Sequence, residues 1–214
     1  MSDRGERRPS GPIRLAVGVA VALLTACATP VAPTPEPSFV PGETPEVAAP
    51  SYQCTPPGDP SAVYPCHRDA YERQQGQASL EAEAVGVYQR FRAEYLRLLQ
   101  TGGAEALTPE LEATVADPVR RDLALELAAQ KRAGQTVQGT VPEPAVAVDR
   151  GSRQEDSEVT LRTCDDLRAT AVHQSDGSKV SDGRVLVSVR YLKRVDGALK
   201  IFASTTEQED SCPL

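Results

Sequence analysis

A change of hydrophobic period near Gly134 constrains this chain more than any other feature. Before that point apolar residues recur every three or four positions. Over residues 68–100, Val85, Tyr88, Phe91, Tyr95 and Leu98 or Leu99 mark one face of a long helix rich in Glu, Ala, Gln, Arg and Leu. Gly76 and Gly86 weaken it locally and predict a bend or a packed crossing, and Thr101-Gly102-Gly103 stops it. Thr108-Pro109 and Asp117-Pro118 each read as an N-cap followed by Pro at the first helical position. The second of these opens a helix over about 118–133 that carries Val119, Leu123, Leu125, Leu127 and Ala128.

After Gly134 the period becomes two. Strands are expected at 136–148, 159–163, 170–173, 184–192 and 199–204. The last two are joined through Arg194-Val195-Asp196-Gly197, where Asp-Gly is a hairpin turn signal. Pro142 and Pro144 demote the first strand region to an edge, or break it. Helices first and antiparallel strands after them predict an α+β fold, with the N-terminal helices packed on a curved antiparallel sheet. The stretch 52–214 has about 160 residues, a normal size for one domain with its own core. Trp is absent and Phe occurs there only at 91 and 202, so the core must be mainly Leu, Val and Ala, with Tyr at its edge.

The N-terminus has a different character. Residues 1–14 carry Arg4, Arg7, Arg8 and Arg14 against Asp3 and Glu6, and the uncharged run LAVGVAVALL follows at 15–24. A basic segment and a short apolar one have the form of a signal peptide, and the run is too short for a permanent membrane helix of about 20 residues. Leu24-Thr25-Ala26-Cys27 then resembles the bacterial lipobox. That resemblance implies diacylglycerol on the Cys27 thiol and cleavage just before it, leaving residues 1–26 as the signal peptide. Stable anchoring needs two or more acyl chains, since one gives only marginal retention. The expected location is the outer face of a cytoplasmic membrane. Residues 27–51 form a Pro-rich tether. Seven of the 23 positions over 28–50 are Pro, a density that favours extended polyproline geometry. Fully extended at about 3.1 Å per residue, that stretch reaches roughly 70 Å.

Without residues 1–26 the chain holds 19 basic and 28 acidic residues, a formal charge of -9. That balance argues against nucleic acid as a partner, and against a polybasic patch that would help the lipid hold an anionic membrane. The expected partners are the membrane through the lipid, and an envelope protein or a small ligand. With Cys27 on lipid, Cys54, Cys66, Cys164 and Cys212 remain, and an even number in an exported domain is expected to pair. Three pairings are possible. Cys54 with Cys66 and Cys164 with Cys212 is preferred, because the first closes a short Pro- and Gly-rich loop before the first helix and the second ties a strand end to the C-terminus. The absence of a CxxC pair, and of a ligand spacing that includes His67 or His173, predicts no metal site. No cofactor is implied.

Helices followed by strands at this length resemble the NTF2-like (SnoaL-like) fold of small actinobacterial lipoproteins, a cone of curved sheet closed by N-terminal helices. The similarity rests on Ala84-Val85-Gly86-Val87-Tyr88-Gln89-Arg90-Phe91 as an opening helix, on Cys164-Asp165-Asp166, and on Val195-Asp196-Gly197-Ala198-Leu199-Lys200-Ile201 as a final hairpin, where Leu199 replaces the family's usual Trp. Another α+β sandwich, or a cystatin-like sheet wrapped on one helix, is the alternative architecture. Some enzymes of the NTF2-like fold use a pocket Asp and His as acid and base. By that resemblance the polar candidates are Asp165, Asp166 and His173, and the lining is Tyr88, Tyr95 and Tyr191. Read from the residues alone, Asp165-Asp166 is a turn or helix cap, His173 lies in an exposed polar turn, and Tyr88 and Tyr95 are packing residues. No GxSxG, HExxH or phosphate-binding glycine loop is present, and no catalytic pair is convincing. The expectation is a non-catalytic binding or interaction module; the alternative is a small hydrolase or isomerase with a cone-pocket acid-base group.

Overall fold

Two three-residue strands, β1 (Tyr52–Cys54) and β2 (Tyr64–Cys66), pair antiparallel and are joined by the Cys54–Cys66 disulfide. The computed structural model describes residues 52–57, 59 and 61–213, all within one compact unit, Ala48–Leu214. The expected signal peptide (1–26), Cys27 and the expected tether (27–51) lie outside the described residues.

Helix α1 (Arg68–Gln100) runs unbroken through Gly76 and Gly86, and ends where the Thr101 backbone N–H donates to the Arg97 and Leu98 carbonyls. Arg97 in its last turn faces the negative end of the helix dipole. Helix α2 (Pro109–Thr114) is capped by Thr108, whose hydroxyl accepts from the Leu111 N–H at 3.4 Å. Helix α3 (Val119–Ala133) starts differently from expectation. Pro118 occupies its N-cap position with no side-chain cap, and the Asp117 carboxylate is turned instead to the Arg120 guanidinium at 3.1 and 3.2 Å. No helix among the described residues is long and apolar enough to cross a membrane.

The strands that follow are β3 (Thr136–Gly139), β4 (Ala145–Val148), β5 (Val159–Asp166), β6 (Thr170–His173), β7 (Lys179–Asp182), β8 (Val185–Val195) and β9 (Ala198–Glu209). They correct the expected cone. The nine described strands fall into three antiparallel sheets, β1-β2, β3-β6-β7 and β4-β5-β8-β9, and not into one curved sheet closed by helices in the NTF2-like manner. Two features divide them. Pro142 and Pro144 interrupt the ladder between β3 and β4, so β3 pairs with β6 and β4 with β5. The second feature is a break in the long β5-to-β8 arm. Leu167 N–H donates to the Arg184 carbonyl and Gly183 N–H to the Thr170 carbonyl, which sends β6 and β7 into a separate sheet. Only glycine fits that break, because a Cβ at position 183 would sit 1.9 Å from the Leu167 carbonyl oxygen.

Register assigns the faces of the four-stranded sheet. Val159 faces Leu192, Leu161 faces Arg190, Thr163 faces Ser188 and Asp165 faces Leu186. These residues look toward the helices, where Val159, Leu161, Leu192, Leu199 and Ile201 pack with Val87, Tyr88, Phe91 and Leu98 of α1 and with Leu111, Leu123 and Leu127. Cys164, Val185 and Val187 form a second, smaller cluster on the opposite face. The Cys164–Cys212 disulfide ties the C-terminal segment to that cluster. The β8–β9 hairpin turns at Asp196 (φ 52) and Gly197 (φ 81), a left-handed pair that suits a two-residue turn.

Candidate functional site

Polar chemistry concentrates where α1 crosses β5 and β8. Spacings of four and three put Tyr88, Arg92 and Tyr95 on the face of α1 that meets the sheet. The Tyr88 hydroxyl donates to Asp165 Oδ2 at 2.9 Å, and Arg92 Nε donates to Oδ1 at 2.5 Å. Arg92 Nη2 also donates to the Pro142 carbonyl at 2.6 Å, which fastens the segment between β3 and β4 to the helix. The Arg92 and Asp165 side chains are 12% and 13% exposed, so the pair is largely withdrawn from water. Burial, with the Asp165 charge adding to it, pushes the Tyr88 phenol up to about 12 and keeps it a donor.

A second polar pair lies farther along the helix. The Tyr95 hydroxyl donates to Glu126 Oε1 of α3, and burial followed by the Glu126 charge raises its pKa. The Tyr95 ring stacks on Phe91 with centroids 5.6 Å apart. Between the two pairs stands Arg190 of β8, its Cζ 5.3 Å from the Tyr88 centroid and 5.1 Å from that of Phe91. Arg190 Nη1 reaches Ser204 Oγ only at 3.4 Å, and its buried Nε has no hydrogen-bond partner. Phe91, Tyr95, Glu126, Leu186, Arg190 and Ser204 are among the residues lining a groove of about 390 Å³ that opens beside this cation.

The candidate residues from the sequence divide evenly. Tyr88, Tyr95 and Asp165 are brought into one region. Asp165 is not the turn or cap that its sequence context suggests, because it faces α1 from within β5. Asp166 points to the other face and is held by Arg168 at 2.9 and 2.6 Å, which lowers its carboxyl to about 2. His173 ends β6 as a partly buried residue, not an exposed turn, and its Nδ1 lies 3.1 Å from the Gly177 carbonyl oxygen in its own hairpin. Tyr191 neighbours Arg190 on β8 and therefore faces away from α1. Sequence reasoning missed Arg92, Glu126 and Arg190. Arg92 was visible in principle, since a charge four residues after Tyr88 on an apolar stripe needs a partner.

This arrangement holds charge more than it moves protons. Both Asp165 oxygens accept hydrogen bonds, and no hydrogen bond joins Asp165 to His173 among the described residues. No group of three His, Cys, Asp or Glu side chains among the described residues is placed to hold a metal ion.

No protein-family model and no curated protein matches this chain. Among solved structures it is similar to the intermembrane space region of chloroplast protein ARC6. That match has 12% identity over 56% of this chain and 97% of the other, with a TM-score of 0.35.

Proposed function

We propose that this protein is a lipid-anchored module on the outer face of a cytoplasmic membrane, and that its folded unit binds a small ligand or an envelope partner without acid-base catalysis. The observation that carries the non-catalytic reading is the state of Asp165. A general base must be reachable by a substrate proton, and this carboxylate is 13% exposed, faces the Arg92 charge, and holds Arg92 on one oxygen and Tyr88 on the other. The anchor is supported by the basic segment, the apolar run and Leu24-Thr25-Ala26-Cys27. An oxidising compartment is supported by the two cysteine pairs at bonding distance.

Two measurements test the two halves separately. Labelled palmitate should enter the wild-type chain expressed in a bacterium, and Cys27→Ala should lose both the label and the membrane association. Label retained in Cys27→Ala overturns the anchor. For the second half, the full chain is incubated with chromogenic esters and with enolisable ketones, and no turnover is expected. Turnover that disappears in Asp165→Asn overturns the non-catalytic reading.

A further inference from the structure

Arg92 and Arg190 both sit in the seam between α1 and the sheet, yet they are satisfied differently. Arg92 has a carboxylate and a carbonyl. Arg190 Nε is enclosed without an acceptor and out of a ligand's reach, and the donors left toward the groove are on its Nη groups, whose one side-chain contact among the described residues is the 3.4 Å one to Ser204. The Tyr88 and Phe91 rings stabilise the guanidinium through its charge, but rings do not replace acceptors in the plane of its N–H groups. A partly enclosed cation with donors to spare, on the wall of a groove, is what a bound carboxylate completes through charge-assisted hydrogen bonds.

The acidic residues of the lining limit which carboxylate. Asp122 and Glu126, four apart on α3, line the same groove as Arg190. Tyr95 holds one oxygen of Glu126, which steadies that side chain and leaves its second oxygen for a ligand. Two carboxylates repel a polyanion and attract an ammonium group. Phe91, Leu123 and Leu186 add an apolar part to the lining. A volume of about 390 Å³ lies within the range of small-molecule sites, roughly 300–1,000 Å³.

We infer that this groove binds a small zwitterion with an apolar body, of the class of a free apolar α-amino acid, its carboxylate on Arg190 and its ammonium toward Asp122 and Glu126. The inference rests on the reading of the folded unit as a binding module, and names the ligand class of that site.

The test uses the full chain, with saturation-transfer NMR and thermal denaturation against L-phenylalanine, phenylacetate and phenethylamine. L-Phenylalanine should bind most tightly, phenylacetate at least several-fold more weakly, and phenethylamine weakest. Arg190→Gln should weaken L-phenylalanine at least tenfold. Ser204→Trp, a change at an exposed position of β9, should block the groove while the Arg190 side chain and the core remain, with only the 3.4 Å contact to Arg190 lost, so a folding defect in the first variant does not decide the matter. Absence of L-phenylalanine binding at 10 mM, on the order of the weakest affinities of interest, overturns the ligand assignment. So does binding that survives both variants, or tighter binding of phenylacetate. Conversion of L-phenylalanine to product, lost in both variants, upholds the site and overturns the non-catalytic reading.

Discussion

Arg92 and Asp165 lie 73 positions apart in the chain, and 2.5 Å separates Nε of the first from Oδ1 of the second. With Tyr88 on the other oxygen, this carboxylate is the more enclosed of two polar fastenings between the longest described helix and the four-stranded sheet, the other being the exposed Glu83–Arg194 pair. Its removal strands two donors in a seam that water reaches poorly.

Asp165→Ala should therefore lower unfolding stability by about 3 kcal/mol, the scale for breaking a withdrawn ion pair from one side. Asp166→Ala, which removes a carboxylate paired with the exposed Arg168, should leave the urea midpoint unchanged within error. Equal midpoints for the two variants would sink this account of Asp165.

Stability should fall at high pH. The folded-state pKa of Tyr88 is raised from 10.0 to about 12, and that of Tyr95 is raised as well. Burial favours the protonated phenol, so its contribution is complete below about pH 10 and drains away as pH climbs toward 12. Urea midpoints measured at pH 9, 10.5 and 11.5 should decline across that window, and less steeply in Tyr88→Phe. An identical decline in the variant would remove Tyr88 from the explanation.

One substitution, glycine to alanine, should act in opposite directions at two positions. At Gly183 a Cβ meets the Leu167 carbonyl oxygen at 1.9 Å and Thr170 Oγ1 at 2.4 Å, so Gly183→Ala should cost about 3 kcal/mol by forcing the strand break apart. At Gly76, inside α1, nothing lies within 4 Å of the new atom. Gly76→Ala should stabilise the protein by about 0.5–1 kcal/mol through helix propensity. Calorimetry on the two variants reads both signs.

The two disulfides should differ in weight. Cys164–Cys212 closes a separation of 48 and Cys54–Cys66 one of 12. Loop-entropy scaling gives about 4 kcal/mol for the first and about 3 kcal/mol for the second. The Cys164→Ser/Cys212→Ser double variant should thus show the lower melting temperature, and the reverse order would show that strain or residual structure outweighs chain entropy here.

The helices and the β8–β9 hairpin were legible in the sequence because their signals are local. These were a stripe at spacings of three and four, the Thr108-Pro109 cap and the Asp196-Gly197 turn. The division into three sheets was not, since it depends on how Gly183 meets Leu167, and on Pro142 and Pro144 sending neighbouring segments to different partners. The site was harder still. On β8 the continuous apolar alternation is Val185, Val187, Val189 and Tyr191, which reads as the inward face. The helices instead cover Leu186, Ser188, Arg190 and Leu192, so the residue richest in chemistry sits on the set that looks polar. Asp165 faces α1 as its partner Arg92 requires, but nothing local in the sequence marks Arg92, one of several Arg residues of α1, as the residue that meets it.

The order of elements also has a kinetic side. A chain synthesised from its N-terminus completes α1 long before β8 and β9 exist, and the core around Val87, Phe91 and Leu98 of that helix, begun by Leu111, Leu123 and Leu127, is completed only when Leu192, Leu199 and Ile201 arrive. During that interval the helix carries a partly covered apolar stripe, and until β5 emerges it carries in Arg92 a cation still waiting for Asp165. The nascent chain is most exposed to aggregation just before its last two strands emerge, and the local turn at Asp196-Gly197 shortens that exposure by letting them pair as soon as both are present.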